Sequence, residues 1–291
     1  MQAFVFPGQG AQKRGMGQGL FDEVGEYTSI ERQVDELLGY SMRELCLQDP
    51  SNLLTQTQYT QPALYVVNAL HYYKAKSEGG SPSYLAGHSV GEYNALLAGG
   101  AFDFLTGLKL VQKRGALMAQ ARNGGMAAVI GLGSERIGQV LRENGLTSLD
   151  VANFNSPSQT VISGPLDDIK RAGAFFDAAG ARLYMPLQVS AAFHSRYMVD
   201  AAREFAAFLS SFTFNELKVP VIANVTATPY PQGNATATTR TLLEKQITSS
   251  VLWSQSVRYL LDRGVTEFKE LGPGIVLTRL VQQIQQETAA A

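Results

Sequence analysis

Cysteine is almost missing from this chain. Cys46 stands alone, so no internal disulfide can form, and a reducing, cytoplasmic setting is expected. Histidine is nearly as scarce. His71, His88 and His194 beside one thiol are too few ligands for a His/Cys cluster, so no metal site is expected. Excess charge of either sign is absent too: Lys plus Arg number 24 against 25 Asp plus Glu, a net charge of -1. Nothing global therefore points to nucleic acid or to a membrane surface. No apolar run approaches a membrane span, and the opening run Ala3-Phe4-Val5-Phe6 stops at Pro7, too short for a signal peptide. Repeats and low-complexity linkers are also lacking. What remains is an ordinary globular composition, 45% hydrophobic and 17% charged over 291 residues, enough for one large domain or a domain with an insert.

The most informative stretch is Tyr84-Leu85-Ala86-Gly87-His88-Ser89-Val90-Gly91-Glu92. A short apolar run ends in Gly-His-Ser-Val-Gly, and a helix-compatible segment follows. This is the G-x-S-x-G elbow, in which a strand turns sharply into a helix with a serine at the apex. Glycine is needed on both flanks because a Cβ there would strike strand or helix. Behind Ser89, the start of the helix offers free backbone N–H groups to a developing oxyanion.

The rest of the chain reads as an α/β protein. Residues 3–6 form a buried strand that leads into the glycine-rich loop 7–17. That loop is not a P-loop, because Met16 follows Gly15, and it is not a dinucleotide loop, because Lys13 occupies the last glycine position. Gln9 within it is equally compatible with a structural turn and with a partner in an oxyanion hole. Residues 55–62 read as a polar loop, with Pro62 opening a helix. In the helix 104–121, Phe104, Leu108, Val111, Gly115 and Met118 share one face, and Arg114 lies beside that stripe. A guanidinium there is costly to bury without an anion, so either a protein carboxylate pairs with it or it reaches water. From residue 126 the order strand, helix, strand, strand, helix, strand suggests a ferredoxin-like unit inserted at 125–189. After it come a helix to about 210, a buried strand at 219–224, a polar loop at 229–238 and a helix at 242–247. A last strand begins at 265, a closing helix spans 275–286, and residues 288–291 are expected to fray.

Ser89 needs a group to take its proton. His88 adjoins it on the sharp turn and should point away, and His71 lies on an earlier helix. His194, in the hinge after the insert, is left as the base. No Asp is placed to orient it, so a backbone carbonyl or an amide side chain would hold the tautomer in a Ser-His dyad.

Together these segments resemble one family, the malonyl-CoA:acyl carrier protein transacylases. The likeness runs through nearly the whole chain. It rests on Phe6-Pro7-Gly8-Gln9-Gly10, Gly87 to Glu92, Arg114-Gly115 with Met118, Asn153 to Pro157, Ala192-Phe193-His194-Ser195, Gln246 with Val251 and Trp253, and Gly272-Pro273-Gly274. The resemblance implies an α/β-hydrolase-like large domain, 1–124 and 190–291, with a ferredoxin-like (βαββαβ) small domain at 125–189. It also implies that Ser89 is acylated, that His194 is the base, and that the backbone N–H groups of Gln9 and Val90 form the oxyanion hole. Arg114 would then grip a malonyl carboxylate and Gln246 would orient the histidine. In related modular enzymes Ala-Phe-His accompanies malonyl choice, so Phe193, with Val90, points to malonyl over methylmalonyl. The implied substrate is malonyl-CoA and the implied partner a phosphopantetheinylated acyl carrier protein. No bound cofactor is implied, and a monomer is expected. Residues 57–70 are similar to free-standing acyltransferases of polyketide synthases, with fatty-acid synthesis the runner-up pathway. Ser249-Ser250 departs from the Asn-Pro of many relatives, which puts the loop carrying Gln246 in question. An acyl hydrolase that clears carrier proteins and a catalytically dead docking protein are the rival readings.

Overall fold

The computed structural model describes residues 1–290. Strand β1 (Gln2–Phe6) is followed by the short helices α1 (Leu20–Glu23), α2 (Gly25–Thr28), α3 (Glu31–Leu38) and α4 (Met42–Leu47), then by the long α5 (Thr57–Ser77). Next come β2 (Tyr84–Gly87), α6 (Gly91–Gly99) and α7 (Phe104–Met118). A second group follows: β3 (Gly124–Ile130), α8 (Ser134–Glu143), β4 (Asp150–Ser156), β5 (Gln159–Pro165), α9 (Leu166–Ala178) and β6 (Leu183–Pro186). The chain continues through α10 (Val199–Leu209), β7 (Val221–Ile222), α11 (Ala235–Thr248), α12 (Trp253–Asp262) and β8 (Glu267–Glu270) to α13 (Val276–Ala290). Among the described residues no helix is long and apolar enough to cross a membrane.

Two sheets organise these elements. The first is parallel, in the order β7-β2-β1-β8. Parallel strands are usually covered on both faces, and β1 reads accordingly as an unbroken apolar run. Alternate side chains go to opposite layers. Phe4 and Phe6 join the large core with α5 and α7, whereas Ala3 and Val5 pack with α12 and α13. The second sheet is antiparallel, in the order β4-β5-β3-β6. One of its faces, with Ala127, Val129 and Ile162, is closed by Ile137 of α8 and by Ile169 and Phe176 of α9. From the other face Met126, Ala128 and Val161 enter the large core. The result is an α/β fold with sheets of both kinds.

Local expectations need correction in three places. Helix α5 begins at Thr57 and carries Pro62 inside it, where proline was expected to open the helix. Its first turn is tied down by the Thr60 hydroxyl, which donates to the carbonyls of Leu54 and Gln56, and the φ of proline suits a helix. Helix α11 starts at Ala235, inside the expected loop 229–238, because the Asn234 side chain accepts from the Ala237 N–H and caps it. Helix α13 runs on through 288–290, where fraying was expected; the terminal alanines are strong helix formers. Ala291 lies outside the described residues.

Candidate active site

The carboxyl ends of the parallel strands converge on one point, the usual place for a site in an open α/β sheet. β1 delivers Gln9, β2 delivers Ser89 and β7 delivers Asn224. A Cβ added at Gly87 would lie 2.0 Å from the Gly91 carbonyl carbon, and one at Gly91 would lie 2.1 Å from the Phe6 carbonyl oxygen. The turn therefore closes only with glycine at both positions. Ser89 at its apex takes a left-handed φ of 52°, a conformation that costs a non-glycine residue energy and persists only where its surroundings enforce it. Asn224 supplies part of that enforcement. Its Oδ1 accepts from the Ser89 N–H at 2.8 Å, and its Nδ2 donates to the Gly87 carbonyl at 2.6 Å.

Ser89 Oγ lies 2.8 Å from His194 Nε2. His194 is 4% exposed and is also left-handed, with φ 56°. Its Nδ1 sits 2.9 Å from the backbone carbonyl of Gln246. A carbonyl can only accept, so the imidazole proton is on Nδ1 and the Nε2 lone pair faces the serine hydroxyl. Burial, reinforced by the nearby Arg114 cation, pushes His194 down to about 3. The ring is thus neutral at working pH and free to accept a proton.

Arg114 projects from α7 and is completely buried. Neither alternative read from the sequence holds. It does not reach water, and among the described residues it forms no ion pair with a carboxylate. Its partners are neutral: Nη1 donates to Gln61 Oε1 at 2.7 Å, and Nη2 to Gln246 Oε1 at 2.9 Å and Ser89 Oγ at 3.1 Å. Its Nε has no hydrogen-bond partner among the described residues. The Tyr93 ring lies 5.6 Å from the guanidinium carbon. Burial pulls its proton affinity below the usual arginine value, but guanidinium begins so high that it stays charged.

A cleft opens beside these groups. Gln9, Gln61, Ser89, Val90 and Arg114 line it, together with Met126, Asn153, Leu187, Val189, Phe193 and His194. Among the described residues, the backbone N–H groups of Gln9 and Val90 have no protein acceptor. Both are free to donate to a substrate oxygen. The chemistry on offer is attack by a serine on an acyl carbon, with a neutral base on one side and a fixed cation on the other.

The family model described as the acyl transferase domain matches residues 3–290. The chain belongs to this family. Among curated acyltransferase relatives, it is 52% identical to the polyketide biosynthesis malonyl CoA-acyl carrier protein transacylase BaeC of Bacillus velezensis, over 100% of this chain and 99% of that protein. Among solved structures of the family, it resembles the malonyl CoA-acyl carrier protein transacylase of Burkholderia pseudomallei with a TM-score of 0.92 and 50% identity, covering 99% and 98% of the two chains. It also resembles a malonyl-transacylase solved in complex with its type II PKS acyl-carrier protein, with a TM-score of 0.91 and 35% identity over 98% and 93%.

The cleft and the side chains behind it bring together Gln9, Ser89, Val90, Arg114, Phe193, His194 and Gln246, the residues that the sequence singled out. Gln246 works through two groups. Its backbone carbonyl holds the histidine, and its side chain reaches Arg114, Glu92 and the Ser89 carbonyl. The Ser249-Ser250 departure leaves this loop seated, because Ser250 Oγ donates to the Val151 carbonyl and Val251 pairs beside Asn153. His88 also lines the cleft, but its Nε2 is held 2.8 Å from Asn155 Oδ1, and His71 stays on α5, outside the cleft. Sequence reasoning missed Asn224 and Gln61. The only hint of Asn224 was a polar residue closing an apolar strand, and Gln61 was hidden in what read as a loop.

Proposed function

We propose that this chain transfers a malonyl group from malonyl-CoA to the phosphopantetheine thiol of an acyl carrier protein, through an acyl-Ser89 intermediate. One observation carries the reading: a fully buried guanidinium, unpaired with any carboxylate among the described residues, sits 3.1 Å from the serine hydroxyl. A free carboxylate on the substrate completes it with two parallel charge-assisted hydrogen bonds and fixes the thioester carbonyl over Ser89. An acetyl group leaves the cation desolvated and unpaired.

Ser89 Oγ attacks the thioester carbon while its proton passes to His194 Nε2. The Gln9 and Val90 N–H groups hold the oxyanion. The C–S bond then breaks, and the departing CoA sulfur takes the proton from Nε2. In the second half the pantetheine thiol gives its proton to Nε2, its sulfur attacks the ester, and Ser89 Oγ leaves and is reprotonated. The substrate carboxylate also strengthens the base, because neutralising Arg114 removes a repulsion that holds the imidazolium off.

Polyketide synthesis is the favoured setting, since BaeC carries that assignment by name, and the likeness to a malonyl-transacylase held with its acyl-carrier protein makes a carrier protein the natural acceptor. We read residues 1–124 and 190–291 as an α/β-hydrolase-like catalytic domain and 125–189 as its ferredoxin-like insert. The β4-β5-β3-β6 order with two helices on one face supports this division. Intact-mass measurement after mixing with malonyl-CoA tests the activity. A malonyl adduct should form, vanish in Ser89→Ala and be chased onto holo carrier protein. An adduct that survives Ser89→Ala, or none at all on the native chain, ends the reading; loss to water at a rate indifferent to carrier protein makes the chain a hydrolase.

A further inference from the structure

We propose that Glu92 is a positioning residue for the acid-binding cation: it sets the orientation of the Gln246 amide, and that amide sets where the Arg114 guanidinium points. The inference rests on the malonyl reading above and deepens it.

Glu92 is fully buried in the first turn of α6, directly behind the nucleophile. Three donors converge on its carboxylate: the Tyr230 hydroxyl, Gln246 Nε2 and, at 3.3 Å, the Asn224 backbone N–H. Above about pH 7, where it is ionised, the Glu92 carboxylate can only accept. Gln246 must therefore turn its NH2 toward Glu92, which leaves Oε1 facing Arg114 Nη2 at 2.9 Å. The same NH2 also reaches the Ser89 carbonyl at 3.1 Å. Reversing the amide would set NH2 against guanidinium, donor against donor.

The arrangement answers a physical problem. A cation kept ready for a substrate acid needs a counter-charge, yet a carboxylate in direct contact would occupy its donors. Glu92 stands one amide away, near enough for its charge to act on Arg114 and too far to take its place. The titratable and charged groups facing Glu92 are Tyr230, Arg114 and Tyr93. Burial raises its carboxyl to about 7 against the pull of these hydrogen bonds and of Arg114.

The test compares Ser89 acylation of the native chain and Glu92→Gln with malonyl-CoA and acetyl-CoA, followed by intact mass. In Glu92→Gln, malonyl kcat/KM should fall by about tenfold or more, chiefly through KM, while acetyl loading changes by less than about threefold. A purely structural role lowers both in proportion. Proportional loss, or malonyl loading left at the native level, overturns the inference. Should Glu92→Gln fail to fold, the native chain carries the test: its malonyl-to-acetyl ratio should drop as pH falls through about 7, where Glu92 gains a donor and loses its charge. A ratio flat across that range overturns it equally. A native chain that takes no malonyl on Ser89 removes the functional reading itself; one that prefers malonyl, matched by an equally selective Glu92→Gln, removes only the role of Glu92.

Discussion

The chemistry of single residues turns on a neutral base held beside a fixed cation. Arg114→Ala removes the cation, so malonyl loading should fall about 100-fold while acetyl loading holds or improves, measured as kcat/KM for Ser89 acylation. Arg114→Lys should not restore it, because an ammonium is a point charge and cannot present the two parallel donors of the guanidinium. His194 predicts a pH profile. With its proton affinity pushed down to about 3, acetyl loading should show no acid limb near the ordinary histidine value of 6.5. Stability follows with a definite sign. Between 6.5 and about 3 the unfolded chain holds a proton on His194 that the folded chain refuses, so acidification across that window destabilises the fold. Glu92, raised from 4.5 to about 7, works the other way between those values, because there the folded state holds the extra proton. The two oppose each other until the pH drops below about 4.5. The fall in Tm should steepen there and be blunted in His194→Gln, which thermal melts across pH will check.

At the scale of elements, the elbow is held from outside itself. Asn224 comes from β7, accepts from the Ser89 N–H and donates to Gly87. Asn224→Ala leaves both groups without these bonds, so a loss of about 2–4 kcal/mol in unfolding stability is expected, together with a lower kcat as Ser89 relaxes from its left-handed backbone. Denaturant titration and loading kinetics read the two effects. What was legible in the sequence has the same local character as what was missed was remote. Gly87-His88-Ser89-Val90-Gly91 announces its turn because steric need and sequence position coincide, and β1 announces its burial through an unbroken apolar run. Arg114 was conspicuous as a charge beside an apolar stripe. Asn224 and Gln246 act across separations of 135 and 132 residues, which no local pattern encodes. Helix starts failed where polar residues hid a cap, as Asn234 did for α11, or where a side-chain tether held a turn ahead of Pro62. The role of Gln246 was half readable: the residue was named, but its backbone carbonyl holds the imidazole while its amide serves Arg114.

At the scale of the whole molecule, the two sheets are joined by more than the chain crossings between them. At the crossings themselves, the Ser190 carbonyl accepts from the Gly124 N–H and the Asn123 carbonyl from the Leu166 N–H. Val251, downstream of α11, pairs alongside Asn153 of β4 and exchanges backbone hydrogen bonds with Ala152 and Phe154. Asn155 of β4 reaches His88 at the elbow, and Met126, Ala128 and Val161 share the core of the parallel sheet. Such coupling predicts one cooperative unfolding transition. Calorimetry should give a single peak that coincides with the fluorescence change of Trp253, the sole tryptophan, buried in the layer beneath β1. Two separated peaks would show that the sheets melt independently.

The solitary thiol, Cys46, is sealed in the core, and burial lifts its proton affinity well above that of a free cysteine. In a reaction that hands an acyl group between sulfur atoms, the protein thus offers no accessible thiol of its own as a diversion. It also leaves the exterior blank to maleimides and disulfide reagents. A cysteine installed at Gln188 or Arg122, in a surface depression that shares Val189 with the cleft, would be the single addressable handle on the surface. A carrier protein bearing an electrophilic pantetheine could be trapped there in one defined linkage, with no background to subtract.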